Sequence, residues 1–111
     1  MNKRPPRIWI SNTSPKAGEV LRVRAQIEHV MESGFRLDEQ RKPRPRHIVN
    51  RFEARFGPQR ELLLSWEPGP AISRNPFIEF TFVARQSGEL HLHWQDDAGA
   101  TLHDKRSITV A

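Results

Sequence analysis

Glu19-Val20-Leu21-Arg22-Val23-Arg24-Ala25-Gln26-Ile27-Glu28 decides the fold class. Leu21, Val23, Ala25 and Ile27 fall on one side of an extended chain, and Arg22, Arg24, Gln26 and Glu28 on the other. A period of two marks a half-buried β-strand, because successive side chains of a pleated chain point to opposite faces. The pattern returns at residues 77–85, where Ile78, Phe80, Phe82 and Ala84 alternate with Phe77, Glu79, Thr81, Val83 and Arg85. At residues 89–96, Leu90, Leu92 and Trp94 are expected to face in, and His91, His93 and Gln95 out. Phe52, Ala54 and Phe56 repeat it within residues 48–56. Arg7–Ile10, Glu61–Trp66 and residues 101–110 read as weaker strands. No window sustains the 3.6-residue period of a helix.

Turn signals fall between these runs. Residues 12–18 hold Pro15 and Gly18, Ser87-Gly88 suits a tight turn, and Asp97-Ala98-Gly99 suits a three-residue hairpin loop with a left-handed glycine. Seven short strands so punctuated predict an all-β chain: one antiparallel β-sandwich of immunoglobulin-like architecture over residues 1–111. With no cysteine and no tyrosine, it lacks the inter-sheet disulfide and the tyrosine corner of antibody domains. The last hairpin allows a sharper expectation. A three-residue loop pairs Asp96 with Ala100, Trp94 with Leu102 and His93 with His103. The same count then puts Asp104 and Arg106 on the inner face. That calls for a bulge near residues 103–107 or an exposed sheet edge.

Composition sets the outer bounds. A chain of 111 residues supports one core and not two. Leu, Ile, Val and Phe supply 27 of the 111 residues, above the ~20% under which chains tend to stay disordered. No apolar run approaches the ~18 residues of a membrane-spanning helix. No apolar segment follows the basic residues 1–7, so no signal peptide is expected. The absence of cysteine excludes disulfides, thiolate metal sites, iron–sulfur clusters and thiol nucleophiles. Charge is lopsided: residues 1–55 carry 13 Lys+Arg against 6 Asp+Glu, and residues 56–111 carry 5 against 7. A basic half suits an acidic protein surface, nucleic acid or a membrane face, and sign alone does not choose among them.

Catalytic signatures are missing: no phosphate-cradling glycine loop and no nucleophile elbow. Asp96-Asp97 reads as a turn pair, since aspartate bonds turn backbone well. His91, His93 and His103 fall on one outer face, and His-x-His on a strand is a metal-ligand spacing, but no fourth ligand accompanies them. They read as solvated histidines, and no metal or other cofactor is expected. His29 and His47 flank the long segment 31–46, which is the longest stretch without a pattern. That segment holds Gly34, Pro43, Pro45 and the cations Arg36, Arg41, Lys42, Arg44 and Arg46. Nucleic-acid surfaces usually interleave aromatics with cations or offer a helix to a groove. Only Phe35 and Phe52 flank this run and Asp38-Glu39 interrupt it, so a protein-docking or solvated loop is the favoured reading. Met31, Phe35, Leu37 and Ile48 are apolar residues in or beside this loop, and long ordered loops in small domains are commonly functional. Trp9 and Trp66 lie on weak strands and suit either a sheet edge or a partly exposed surface.

Three segments carry a family resemblance. His29-Val30-Met31-Glu32-Ser33-Gly34-Phe35-Arg36-Leu37-Asp38 with Pro45-Arg46-His47-Ile48-Val49-Asn50 resembles the Z-subunit family, SoxZ, of the sulfur-oxidation (Sox) carrier complex. That family shows His-Pro-Met-Glu-Thr-Gly, then Arg-x-Asp, then Ile-Pro-Arg and a hydrophobic pair. Pro70-Ala71-Ile72-Ser73-Arg74-Asn75-Pro76-Phe77 is similar to its Pro-Ala-Ile-Ser-Ala-Asn-Pro-Tyr, and Trp94-Gln95-Asp96-Asp97-Ala98-Gly99 to its late Trp-x-Asp-Asp-x-Gly. Val30, Ser33, Arg44, Arg74 and Phe77 depart from the pattern, and the loop is more basic than usual.

The resemblance implies a non-catalytic subunit that pairs with a Y subunit. That partner carries thiosulfate-derived sulfur covalently on the cysteine of a flexible C-terminal arm and presents it to successive Sox enzymes. The resemblance further implies an immunoglobulin-like sandwich, and a periplasmic location reached by export with the partner. On this reading Met31, Phe35, Arg36, Asp38, Arg46 and Ile48 are interface candidates, with Ile72, Asn75, Pro76 and Phe77 as a second patch. Arg36 and Arg46 are expected to offer forked contacts to a partner carboxylate or the anionic sulfur adduct. Transient contacts with Sox enzymes are expected, and neither nucleic acid nor membrane is expected as a partner. An uncovered edge or patch would let isolated chains form a homodimer. Two other classes stay open: a basic sandwich binding nucleic acid, and a metal site at His91, His93 and His103.

Overall fold

A computed structural model describes residues 4–111, and residues 1–3 of the basic N-terminal stretch, on which the signal-peptide expectation partly rests, lie outside the described residues. Seven strands follow one another: β1 (Arg7–Ile10), β2 (Val20–Gln26), β3 (Val49–Phe56), β4 (Glu61–Trp66), β5 (Phe77–Val83), β6 (Gly88–Asp96) and β7 (Thr101–Ile108). They pair antiparallel in two sheets, ordered β1-β2-β5 and β4-β3-β6-β7. No helix among the described residues is long and apolar enough to cross a membrane.

The alternation read in the sequence is the one the sandwich buries. Leu21, Val23 and Ala25 of β2 meet Phe52 and Ala54 of β3 and Leu90, Leu92 and Trp94 of β6 in one core cluster. Phe52 packs between Trp94 and Phe80, with ring centroids 5.0 and 6.3 Å away. Burying each such side chain contributes roughly 1.5–3 kcal/mol.

The fourth strand departs from the constant-type immunoglobulin arrangement, where it would extend the sheet of strands one, two and five. Here β4 sits beside β3 instead, Trp66 opposite Phe52 and Leu64 opposite Ala54. The register then shifts so that Arg55 faces Leu62, which leaves Leu63 as a bulge.

The last hairpin has the expected register, with His93 opposite His103, Trp94 opposite Leu102, and the Asp96 N–H donating to the Ala100 carbonyl at 3.0 Å. Pairing continues unbroken to Gly88 opposite Ile108, so of the two expectations for residues 103–107 the edge holds and the bulge does not. Asp104 and Arg106 pair with each other at 3.0 Å on that edge. One expected outward residue, His91, is buried, because Arg55 and Lys105 flank it on either side across a central strand.

Segment 31–46 is an ordered ribbon. Glu32 bridges His47 at its base and Leu37 bridges Pro43 further out. The Arg44 N–H donates to the Arg36 carbonyl, and the Asp38 N–H to the Lys42 carbonyl, at 2.9 and 2.8 Å. Asp38 Oδ1 caps the tip by accepting the N–H groups of Gln40 and Lys42. Gly34 permits the close crossing at the base: its φ is +85°, and an added Cβ would lie 3.3 Å from the Arg46 Cβ.

Candidate functional site

Asp96 ends β6 with the inward parity of Leu90, Leu92 and Trp94, and its carboxylate is buried. Oδ1 accepts the N–H groups of Ala98 and Ala100, both at 3.0 Å, which closes the hairpin turn. Oδ2 faces His29 Nε2 at 3.3 Å and His47 Nε2 at 3.0 Å. The Met31 N–H donates to His29 Nδ1 at 3.0 Å, so the His29 proton sits on Nε2 and is given to Asp96. Asn75 brackets the same residue: its Oδ1 accepts the His29 N–H and its own N–H donates to the His29 carbonyl. This clamp ties together the end of the β2 strand region, the ribbon base, the β4–β5 connection and the last hairpin.

Asp97 makes a second tie. It accepts Arg46 bidentately at 2.8 and 2.9 Å, Asn50 Nδ2 at 3.0 Å and the Ile48 N–H at 3.2 Å. Burial works against both carboxylate charges, yet these donors outweigh it and hold Asp96 and Asp97 below the ordinary 3.8. His29 is held below 6.5 by burial, against the pull of its Asp96 bond. Protonating it would also break the Met31 bond.

Burial likewise lowers His91 and His93 from 6.5. Below 6.5 the unfolded chain therefore binds protons that these three folded histidines refuse. Their stabilisation is full above 6.5 and is lost as pH falls below it, and that of the two aspartates is lost below 3.8. Thermal melting between about pH 8 and about pH 5 is expected to show a falling Tm, and a flat profile would contradict the burial of these three histidines as neutral groups.

His29, His47 and Asp96 each offer a donor atom within 4.8 Å of the others, a spacing three ligands of one cation can take. The hydrogen bonds argue for another use. A metal-bound imidazole usually donates its remote N–H to an acceptor, whereas His29 Nδ1 faces a donor and its Nε2 already carries the proton. The three outer histidines show less: His91 and His103 are bonded at 3.2 Å and stacked and His93 lies alongside, but among the described residues their ligand atoms do not gather into a set of three as those of His29, His47 and Asp96 do.

The expected interface residues divide. Met31 and Ile48 are core residues, 6% and 1% exposed, and they hold the ribbon from beneath. Pro76 is buried, Ile72 is packed against the core, and Asn75 is occupied by His29. Asp38 caps the ribbon tip. Arg36 is engaged by Glu32 at 2.6 Å and Arg46 by Asp97, so both forks hold an intrachain carboxylate. Phe35, Leu37 and Val30 stand out at 78%, 56% and 59% exposure, beside Arg41, Lys42 and Arg44, which form no ion pair among the described residues. Phe77 is exposed elsewhere, on the outer face of β5.

Residues 10–107 match the family model of Sulphur oxidation protein SoxZ. The chain belongs to the SoxZ family. The SoxZ-like segments noted in the sequence are the ones that converge in space, supplying His29, His47, Asn75 and Asp96 to one clamp. No curated protein sequence matches the chain. Solved structures with this SoxZ-family fold include a superoxide reductase (neelaredoxin) from Ignicoccus hospitalis, 18% identical with a TM-score of 0.71 over 97% of this chain and 81% of that one. A putative superoxide reductase from Thermotoga maritima is 15% identical with a TM-score of 0.66, over 99% and 88% of the two chains. A hypothetical protein from Pyrococcus horikoshii is 15% identical with a TM-score of 0.62, over 95% and 86%. At these identities the likeness is one of fold.

Proposed function

We propose that this chain is the non-catalytic partner of a Y subunit in a periplasmic sulfur-carrier heterodimer, and that ribbon 31–46 is its docking surface. Family membership supports the assignment to sulfur oxidation. The observation that carries the docking surface is the ribbon itself: an ordered projection with a bare aromatic, Phe35, and, further along it, the cations Arg41, Lys42 and Arg44, which form no ion pair among the described residues. An apolar centre with a charged rim fits a protein partner, the centre holding the complex and the rim steering an acidic surface into place. The Y subunit carries the reactive cysteine; this chain has none and positions its partner for the pathway enzymes.

Affinity capture from the native cell, with intact-mass measurement of what co-purifies, tests the assignment. The expected partner bears one cysteine in a glycine-rich C-terminal tail with a sulfur adduct. Phe35→Ala is expected to weaken that complex ~10- to 100-fold. Arg41→Glu with Arg44→Glu is expected to slow association and to remove its salt dependence. Unchanged affinity in all three changes would move the docking surface off the ribbon. A co-purifying nucleic acid in place of a protein would overturn the assignment.

A further inference from the structure

We infer that the free edge of β5 is a self-association surface, which pairs two copies of this chain antiparallel about Phe80 and so joins their three-stranded sheets into one of six. This goes beyond the carrier reading and does not rest on it.

The four sheet edges are not alike. β1 is four residues long and follows Pro5-Pro6. β4 is bent by the Leu63 bulge, and β7 turns Asp104 and Arg106 inward. Each is a device that discourages strand addition. β5 has none: it is seven residues long, pairs β2 without a break, and holds no proline, lysine or arginine. Among the described residues no segment but β2 hydrogen-bonds its backbone. Its edge lies open because β4, which would cover it in the constant-type arrangement, has joined the other sheet. Its inward residues Ile78 and Phe80 stay half-buried, whereas Ala25 and Val23 opposite them on β2 are fully buried.

The register identifies the occupant. In Phe77-Ile78-Glu79-Phe80-Thr81-Phe82-Val83, antiparallel pairing about Phe80 uses all seven residues and keeps inner faces together. Phe80 then meets Phe80, Ile78 meets Phe82, Glu79 meets Thr81 and Phe77 meets Val83. Moving the centre to Glu79 would set two carboxylates opposite each other, and moving it to Thr81 would shorten the pairing. Since Val20 lies beside Val83 on β2, the Phe80-centred register also gathers Phe77 of one copy with Val83 and Val20 of the other. These three side chains are 51%, 38% and 62% exposed in the single chain. The second copy covers them twice, by symmetry.

Sedimentation equilibrium of the full chain over a range of concentrations tests this. A monomer–dimer equilibrium is expected. Thr81→Glu places a carboxylate opposite the second copy's Glu79 at two points and is expected to weaken the dimer at least ~10-fold. Thr81→Arg meets the same Glu79 with opposite charge and is expected to hold or tighten the dimer at low salt. Thr81 is exposed on the outer face opposite Arg22, so both variants should keep the parent's far-UV circular dichroism and a cooperative melt. A chain monomeric at every concentration, or a dimer indifferent to both changes, would overturn the proposal. Because the readout uses this chain alone, it stands or falls separately from docking of a Y subunit.

Discussion

Replacing Asp96 by alanine is expected to cost the fold about 3–5 kcal/mol, the range for leaving buried charged or polar partners uncompensated. Among the described residues four donors point at this one carboxylate: two backbone N–H groups of the hairpin turn and two imidazole N–H groups. Alanine leaves all four without an acceptor. A domain of this size has only about 5–15 kcal/mol of stability, so the variant should sit near its unfolding threshold. Urea unfolding measures it: the midpoint should drop sharply with little change in slope. Asp96→Asn separates charge from shape. Its oxygen can still close the turn, but its amide would face the His29 Nε2–H, a donor fixed in place by the Met31 bond. An intermediate loss is expected for asparagine. If Asp96→Ala fell within 1 kcal/mol of the parent, the clamp would not be holding the four segments together.

Phe52→Ala is the second large effect, about 3–5 kcal/mol from lost burial and the cavity left between Trp94 and Phe80. Phe52 is fully buried on a central strand with ordered rings on two sides, so the site cannot collapse cheaply. The same truncation at Phe35, which is 78% exposed, is expected to shift stability by less than ~0.5 kcal/mol. One substitution at two phenylalanines thus divides folding from docking. Equal losses at both would mean that the ribbon packs against the sandwich more closely than its exposure shows.

The strands were legible because each alternates against a single apolar face, and Asp97-Ala98-Gly99 fixed the last register by loop length alone. The sheet to which β4 belongs was not legible, since Leu62, Leu63 and Leu64 satisfy an inward face whichever neighbour they find. The clamp was missed although a signal for it exists: Asp96 keeps the inward parity of Trp94, which places a carboxylate in the core and demands donors for it. His29 and His47 are separated in sequence by the whole ribbon, and only the Glu32–His47 bridge brings them side by side. Met31 and Ile48 read as interface candidates because they border a charged loop, yet the ribbon folds over them. Arg36 and Arg46 read as forks offered to a partner, because the intrachain carboxylates that hold them depend on ribbon geometry and on a distant turn.

The strand order also governs how this chain finds its structure. Val23 must meet Phe80 and Phe52 must meet Trp94 before either sheet has a centre, and each meeting encloses a long stretch of intervening chain. Only β1–β2, β3–β4 and β6–β7 join neighbours along the sequence. The entropy of closing those loops is lost before the core rewards it, which puts the chain among the slow-folding sandwiches, on a scale of milliseconds to seconds rather than microseconds. During that interval the apolar strands and the open β5 edge are exposed together, and the time between synthesis and native packing is when this small domain is most vulnerable to aggregation.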